Sequence, residues 1–229
     1  MDSYLYSIKY VDQTLWLDLS NNQLNVINSN MFSSFVALTH LDLSHNQIKS
    51  IDANSFSRLG RLNALDLSNN LINNLSPDVF YGLNNLTYLN LKSNLFKTLN
   101  DFTFIYLNKT IVYLDLGYNQ FESINKDLFY GLTGLNQLLI NNNLISAIAD
   151  NSFQTLNSLK SLDLSVNRLS SINRNTFNGL KTLEELILKS NQIVEYDVNS
   201  LNGLESLQTL NLDDNLIQSS YNLFDCTGL

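Results

Sequence analysis

LKSLDLSVN, at residues 159–167, is the stretch that decides the fold, because its pattern returns along the whole 229-residue chain. Leucine holds three fixed positions in most copies, with Thr14, Ile111 and Ile140 as the exceptions, and an Asn closes each copy. The closing Asn recurs every 24 residues, with one step of 25, at Asn22, Asn46, Asn70, Asn94, Asn119, Asn143, Asn167, Asn191 and Asn215. Self-similarity of this period predicts a solenoid of stacked repeats, in which function belongs to a surface rather than to a pocket.

Each copy is expected to contribute one short strand and one turn. Leu162, Asp163 and Leu164 alternate inward and outward, as the residues of a strand do. Stacked strands form a parallel sheet, and the closing Asn can satisfy the backbone groups of the turn. A row of Phe residues, expected to stack as a spine under the opposite side, falls ten residues after each of the first seven Asn residues: Phe32, Phe56, Phe80, Phe104, Phe129, Phe153 and Phe177. The predicted fold class is an α/β solenoid, a curved horseshoe with a concave parallel β-sheet and an irregular or short-helical convex side.

The frame LxxLxLxxNxLxxIxxxxFxxLxx, complete at residues 159–180, resembles the typical 24-residue class of leucine-rich repeats. The resemblance runs over residues 11–228. Proteins of this class, such as Toll-like receptor ectodomains, Slit, small leucine-rich proteoglycans and lamprey antigen receptors, are mostly extracellular and bind proteins or glycans through the concave face. The resemblance implies the same for this chain. The chain differs from them because no cysteine-bridged cap precedes the first repeat.

The repeats leave room for little else. They predict one leucine-rich repeat domain over residues 1–229, with about nine repeats and a partial N-terminal repeat at residues 1–13. The last repeat is incomplete, and an uncapped solenoid leaves apolar surface in water. We therefore expect a fragment of a longer protein that self-associates through its C-terminal edge, unless Tyr221, Leu223 and Phe224 fold back as a cap. Repeat eight should be the least regular, because Leu201 replaces the spine Phe and Tyr196 replaces an Ile or Leu.

Composition and charge narrow the class of partner. Hydrophobic residues make up 44% of the chain, the formal charge is −8, and Lys and Arg are scattered singly. No run of about 18 apolar residues could span a membrane. We therefore expect a basic or neutral protein or glycan partner, no nucleic acid, and no membrane insertion. The compartment stays open, because residues 1–11 lack a secretory signal and the single Cys226 fits either a reducing or an extracellular setting.

Catalytic chemistry has one candidate group on the predicted sheet. His40, Asp42 and Ser44 carry the residue types of a hydrolase triad, but successive outward side chains lie about 6.6 Å apart and no nearby turn offers an oxyanion hole. On neighbouring strands Asp18, Asp42 and Asp66 would lie about 4.8 Å apart, which could admit Ca²⁺, although this repeat class uses Asp there routinely. We expect no catalytic residue, no metal and no cofactor, with a hydrolase as the remote alternative.

Partner recognition is expected where outward positions depart from the repeat consensus. Leu139 and Ile187 are apolar members of an otherwise polar row, and aromatic or apolar residues occur in the two neighbouring rows. Clustered apolar and aromatic side chains on a polar surface form binding hot spots, although scattered ones also occur without function. The predicted concave binding site, with side chains expected to be exposed, comprises Tyr88, Tyr113, Tyr118, Leu139, Val166 and Ile187.

Three Asn-x-Ser/Thr motifs, at Asn74, Asn85 and Asn108, fit the pattern for N-glycosylation. An Asn-rich chain produces such motifs by chance, so they do not fix the compartment. Asn85 and Asn108 are candidate glycosylation sites. Asn108 is the stronger, because it lies at the 25-residue step, where the extra residue should bulge outward.

These observations predict a non-catalytic protein-recognition module. The module would be part of a secreted or cell-surface, receptor-like protein and would bind through its concave face. An intracellular leucine-rich repeat scaffold or regulatory module, with a cytoplasmic location, is the alternative.

Overall fold

Nine short parallel strands, one from each repeat, form a single sheet along the solenoid. A computed structural model describes residues 11–218, apart from the side chains of residues 195, 196 and 198. The strands follow one another in chain order, each in register with the next. They are Trp16–Asp18, His40–Asp42, Ala64–Asp66, Tyr88–Asn90, Tyr113–Asp115, Gln137–Leu139, Ser161–Asp163, Glu185–Ile187 and Thr209–Asn211. The predicted solenoid with a parallel sheet is confirmed.

The side opposite the sheet is irregular, with short secondary elements. Pairs of two-residue strands join Val26–Ile27 to Ser50–Ile51, Ser123–Ile124 to Ala147–Ile148, and Ser171–Ile172 to Glu195–Tyr196. Short 3₁₀ helices lie at Val11–Gln13, Pro77–Phe80, Ile105–Leu107 and Val198–Leu201. Along residues 11–218 no helix is both long enough and apolar enough to cross a membrane.

The core is a continuous column of leucines closed by the Phe spine. Leu65, on its strand, and Leu67, directly after that strand, are fully buried, because alternate side chains of an extended segment point to the same side. All seven spine Phe side chains are buried as well. Stacked neighbours along the spine have ring centroids 5.9–6.4 Å apart, in the pairs Phe32–Phe56, Phe80–Phe104, Phe129–Phe153 and Phe153–Phe177.

The Asn ladder pairs the backbone groups that the turns leave open. Asn143 shows the pattern, since its Oδ1 accepts from the backbone N–H of Phe121 in the preceding repeat at 3.0 Å. Its Nδ2 donates to the carbonyl of Leu116 in the preceding repeat at 3.1 Å and to that of Ile140 in its own repeat at 3.1 Å. From Asn46 to Asn215, each closing Asn therefore ties two repeats together through groups that would otherwise be buried without partners.

Repeat eight departs from its neighbours as the sequence predicts. Its convex segment is the 3₁₀ helix Val198–Leu201, capped by the Asp197 carboxylate, which accepts from the Asn199 backbone N–H at 2.8 Å. Leu201 is only partly buried, whereas the spine Phe residues are fully buried. The side chain of Tyr196, residues 1–10 of the partial N-terminal repeat, and the C-terminal edge with Tyr221, Leu223 and Phe224 lie outside the described residues.

Candidate binding face on the concave sheet

Two aromatic side chains form the centre of the concave face. Tyr88 and Tyr113 are paired residues of adjacent strands, and their rings stack with centroids 4.6 Å apart and planes 8° apart. The Tyr113 hydroxyl donates to the Asp115 carboxylate at 3.4 Å. Burial, more than the nearby carboxylates, raises the pKa of both hydroxyls, so both remain protonated donors at neutral pH.

Two further members of the predicted site, Tyr118 and Val166, lie where each strand exits into its turn. Residues at this position adopt the left-handed region throughout, with φ between 52° and 55° at Asn21, His45, Asn69, Ser93, Tyr118, Asn142, Val166, Ser190 and Asp214. Asn and Asp tolerate this region, whereas a β-branched residue there is an outlier. Tyr118 and Val166 are nevertheless 49% and 44% exposed, respectively. About half of each side chain therefore gives no packing energy to offset the strain of the backbone.

Leu139 and Ile187 lie in the row that is otherwise polar. The register places Leu139 between Asp115 and Asp163, and Ile187 on the other side of Asp163. Both are partly buried rather than exposed. Tyr88 and Tyr113 are partly buried as well, which corrects the expectation that these four side chains are exposed. The reason is the spacing of about 4.8 Å between strands, which brings side chains of one row into contact.

Asp115 is the residue of this face that sequence reasoning missed. It is only 5% exposed, and burial raises the pKa of its carboxyl group against the opposing effects of the Gly117 backbone N–H and Lys92. Its Oδ1 accepts from that N–H at 2.8 Å. In the described part of the chain no salt bridge compensates the charge. A buried carboxylate without an ion pair is costly to the fold, and such groups concentrate at functional sites.

The face combines aromatic and aliphatic side chains with negative charge. Lys92 places its Nζ 4.8 Å from the centroid of the Tyr118 ring, a cation–π contact. Lys189 is already paired with Asp213 at 2.8 Å and with Asp214 at 3.6 Å. Asp66, Asp115 and Asp163 lie in the row that carries Leu139 and Ile187. A partner that presents both apolar and basic groups would complement this pattern.

The side chains of the hydrolase candidates make no hydrogen bonds to one another. The Nδ1 atom of His40 lies 2.9 Å from the Thr39 hydroxyl, and the His40 ring stacks on Trp16 with centroids 4.6 Å apart. The Asp42 Oδ1 accepts from the Ser44 backbone N–H at 2.8 Å. The carboxylate thus orders its own turn rather than orienting the imidazole. Within residues 11–218 no group of three His, Cys, Asp or Glu side chains is arranged to hold a metal ion.

The candidate glycosylation sites differ in their surroundings. Asn85 is exposed, and its Nδ2 donates to the Gly60 carbonyl of the preceding repeat at 2.6 Å. Asn108 is partly buried and follows the 3₁₀ helix Ile105–Leu107. The amide of Asn108 makes no hydrogen bond to another described residue.

A second group of exposed aromatic residues, on the convex side, was not anticipated. We call Tyr81, Phe102, Tyr106 and Tyr130 the convex aromatic cluster; its members are between 42% and 51% exposed. One signal was available in the sequence. Phe102 takes the place that Asn54 and Asn151 hold in other repeats, two residues before the spine Phe. A comparison of convex rows like that of the concave rows would have found it.

Solved structures with this architecture include two large receptors and a bacterial protein. A crystal structure of a TLR13–ssRNA13 complex matches with 33% identity and a TM-score of 0.80, covering 88% of this chain and 33% of that one. The Toll–Spatzle complex of Drosophila matches with 25% identity and a TM-score of 0.75, covering 92% and 33%. A leucine-rich repeat protein of Leptospira interrogans matches with 27% identity and a TM-score of 0.64, covering 88% and 55%.

The chain therefore spans about a third of the length of the TLR13 and Toll chains that it matches. One of these structures is a complex with single-stranded RNA. The expectation that composition excludes a nucleic-acid partner therefore does not hold as a rule for proteins of this fold. No curated protein sequence matches the chain significantly.

Matches to the leucine rich repeat family model overlap along nearly the whole chain. They cover residues 13–72, 43–96, 61–110, 109–169 and 158–217. Together with the strand register and the Asn ladder, these matches show that the chain belongs to the leucine-rich repeat family.

Proposed function

We propose that the chain is a non-catalytic protein-recognition module that binds its partner through the concave face. The observation that carries this proposal is the placement of Tyr118 and Val166, which are exposed apolar side chains on left-handed backbone. Such backbone costs a residue with a Cβ about 1–2 kcal/mol. An Asn would fit the turn better at both positions, so an apolar residue kept there is best accounted for by a contact outside the chain.

The dimensions of the face suit a protein partner. Tyr88 and Ile187 lie on strands four steps apart in the sheet, a span of about 19 Å at the usual strand spacing. A patch of that width is comparable to one side of a standard protein interface. The stacked Tyr88 and Tyr113 rings supply the rigid aromatic contact typical of hot spots.

The charge of the face favours a partner with basic and apolar groups. Asp66 and Asp163 are partly exposed, and Asp115 lies between Tyr113 and Leu139 without an ion pair among the described residues. The chain as a whole has a formal charge of −8. A phosphate backbone would meet repulsion here, so we favour a protein over RNA, and RNA is retained as a test ligand because of the TLR13 complex.

We also propose that the chain is part of a secreted or cell-surface, receptor-like protein. Support comes from the similarity to the TLR13 and Toll structures, at 33% and 25% identity. An intracellular scaffold is the alternative. The leucine-rich repeat fold occurs in both settings, and the concave face would serve either one.

The test begins with the capture of a partner by the wild-type chain. That partner is then purified, and its affinity for the wild type and for each variant is measured. Tyr118→Ala and Leu139→Ala should weaken binding by about 1–2 kcal/mol, or about 5-fold to 30-fold. Tyr118 is a cleaner probe than Tyr113, because Tyr113 is partly buried against Tyr88 and its truncation would also affect stability. Lys126→Ala, on the exposed convex side, is the control and should leave affinity unchanged.

Three outcomes separate the candidates. Reduced affinity in the concave variants alone supports the proposed face. Equal affinity for Tyr118→Ala, Leu139→Ala and the control would move the site elsewhere on the chain. Single-stranded RNA that competes with the partner, or binds as tightly at physiological salt, would overturn the preference for a protein ligand.

A further inference from the structure

The convex aromatic cluster is a compact exposed surface built from three consecutive repeats. Tyr81 and Tyr106 make an edge-to-face pair with centroids 5.3 Å apart, and Phe102 and Tyr130 make a second pair at 5.6 Å. The Tyr106 hydroxyl donates to the Asp78 carboxylate at 3.3 Å. Single exposed apolar residues need no explanation, but two pairs of contacting aromatic rings on consecutive repeats do.

Phe102 is held on backbone that does not suit it. Its φ is 62°, the same value as at Asn54 and Asn151, which occupy the equivalent place in their repeats. Asn is favoured there and a bulky aromatic residue is not. Phe102 is also 43% exposed, so the core gains little from its ring. The Phe102 ring packs on Tyr130, which is itself 47% exposed, so the pair leaves aromatic surface open to a contact from outside the chain.

A glycosylation motif lies within this surface. Asn108, with Lys109 and Thr110, follows Tyr106 by two residues on the loop of the 25-residue step. A Cβ added to Gly131, the residue after Tyr130, would lie 3.3 Å from the Asn108 Cβ. The Cβ of Asn108 therefore lies close to the backbone at Gly131, the residue after Tyr130 on the next repeat, and Asn108 itself follows Tyr106 by two residues.

We propose that Asn108 carries an N-linked glycan whose first sugars pack on the convex aromatic cluster. The proposal rests on the secretory location in the proposed function, because the donor is a lipid-linked oligosaccharide diphosphate. In the transfer, a bond forms between the Asn108 Nδ2 and C1 of the first sugar. The bond from C1 to the diphosphate breaks, the lipid diphosphate leaves, and the amide loses one proton.

The surface has the chemistry that a sugar requires. The C–H face of a pyranose ring is apolar and packs on aromatic rings, which removes apolar area from water. The phenol groups and the Asp78 carboxylate can exchange hydrogen bonds with sugar hydroxyls. Asn85 is the poorer acceptor of the two candidate sites, because its Nδ2 already donates to Gly60 at 2.6 Å.

The first measurement is site occupancy. The full chain is secreted from a eukaryotic cell line, and peptide mass spectrometry after enzymatic deglycosylation in oxygen-18 water reports each motif, because every glycosylated Asn becomes an oxygen-18-labelled Asp. We expect high occupancy at Asn108, lower occupancy at Asn85, and loss of one glycan mass in Asn108→Gln. A secreted, folded chain with Asn108 unmodified would overturn the proposal.

The second measurement separates packing from mere attachment. The melting temperature of each protein is compared with that of its Asn108→Gln counterpart, which lacks the glycan. In the wild type we expect the glycan to raise it by about 2–4 °C, the scale of one moderate contact in a chain of this size. The rise should disappear with Tyr130→Ala or Phe102→Asn. It should persist with Trp16→Ala, an exposed aromatic residue on the concave sheet.

The outcomes also separate this proposal from the proposed function. A glycan effect that is equal in wild type and in the cluster variants would refute the packing. If Tyr130→Ala or Phe102→Asn abolished binding of the partner while Asn108→Gln did not, the cluster would belong to the partner interface and not to a glycan. Retained partner affinity together with the loss of the glycan effect is the result that we expect.

Discussion

Replacement of Val166 by Asn should make the protein more stable. Val166 has a φ of 54°, and the left-handed region costs such a residue about 1–2 kcal/mol. About half of the side chain is buried, and full burial of a Val is worth about 1.5 kcal/mol, so the packing lost to Asn is about 0.7 kcal/mol. Strain is therefore the larger effect. We expect a net gain of about 0.3–1.3 kcal/mol, or about 1–4 °C in melting temperature.

The reverse substitution is the matched control. Asn142 holds the same place one repeat earlier, with a φ of 53°, and its side chain makes no hydrogen bond to another described residue. Asn142→Val should therefore cost about 1–2 kcal/mol, because it adds the strain and removes no polar contact. Urea unfolding followed by circular dichroism measures both variants, and unchanged slopes would show that the midpoints report stability.

Two results would refute this reasoning. A Val166→Asn protein that is less stable than wild type would show that the packing of Val166 outweighs its strain. An Asn142→Val protein with unchanged stability would show that the turn tolerates β-branched residues, and the conformational support for the binding face would be lost. If the stabilised Val166→Asn variant also binds its partner more weakly, stability and recognition are opposed at this residue, as the proposed function requires.

The remaining predictions concern the ladder, the buried charge and a glycine contact. Asn143→Ala should destabilise the chain by about 2–4 kcal/mol in urea unfolding, because the Phe121 N–H and three carbonyls lose their partner; a loss under about 1 kcal/mol would mean that water replaces the amide. Burial raises the pKa of Asp115 above its ordinary value of 3.8, so its contribution to stability is fully present below that value and falls as pH rises through the raised pKa. The stability of Asp115→Asn relative to wild type should therefore rise as pH increases from 3.8 through the raised pKa. A difference in stability between the two proteins that did not vary with pH would contradict the burial effect. Gly179→Ala should cost more than Gly203→Ala, since a Cβ at Gly179 would meet the Gln154 backbone whereas at Gly203 it would meet nothing, and both have positive φ; equal melting temperatures would argue that strain alone matters.

The features that repeat could be predicted from the sequence because each has one local cause. Strand position follows from alternating leucines, and Asn143 follows from the need to pair buried turn groups, so both appear as regular periods. The departure at Leu201 could also be predicted, because the spine is a row with one residue type. These features depend on the frame and not on the particular neighbours.

The features that could not be predicted depend on contacts between rows. Asp115 holds the same place in the frame as Asp42, yet it is buried, because Tyr113 lies over it and Leu139 stands beside it. The strain at Val166 was not seen either, since the frame does not state a backbone conformation. The prevalence of Asn, Ser and Asp in that row was an available sign, because these residues favour turns and tolerate left-handed backbone.

The departures from consensus on both faces fall in the same central repeats. Tyr88, Tyr113 and Tyr118 lie on the concave side, and Phe102 and Tyr130 lie on the convex side of the same or adjacent turns. The core positions of these repeats keep the residue types of the frame, including Leu114, Asn119 and Phe129, and all three are buried. Each repeat of a solenoid contacts only its neighbours. Surface residues in the centre can therefore diverge on two faces at once while the core stays constant, which is why both proposed surfaces are best tested with single substitutions.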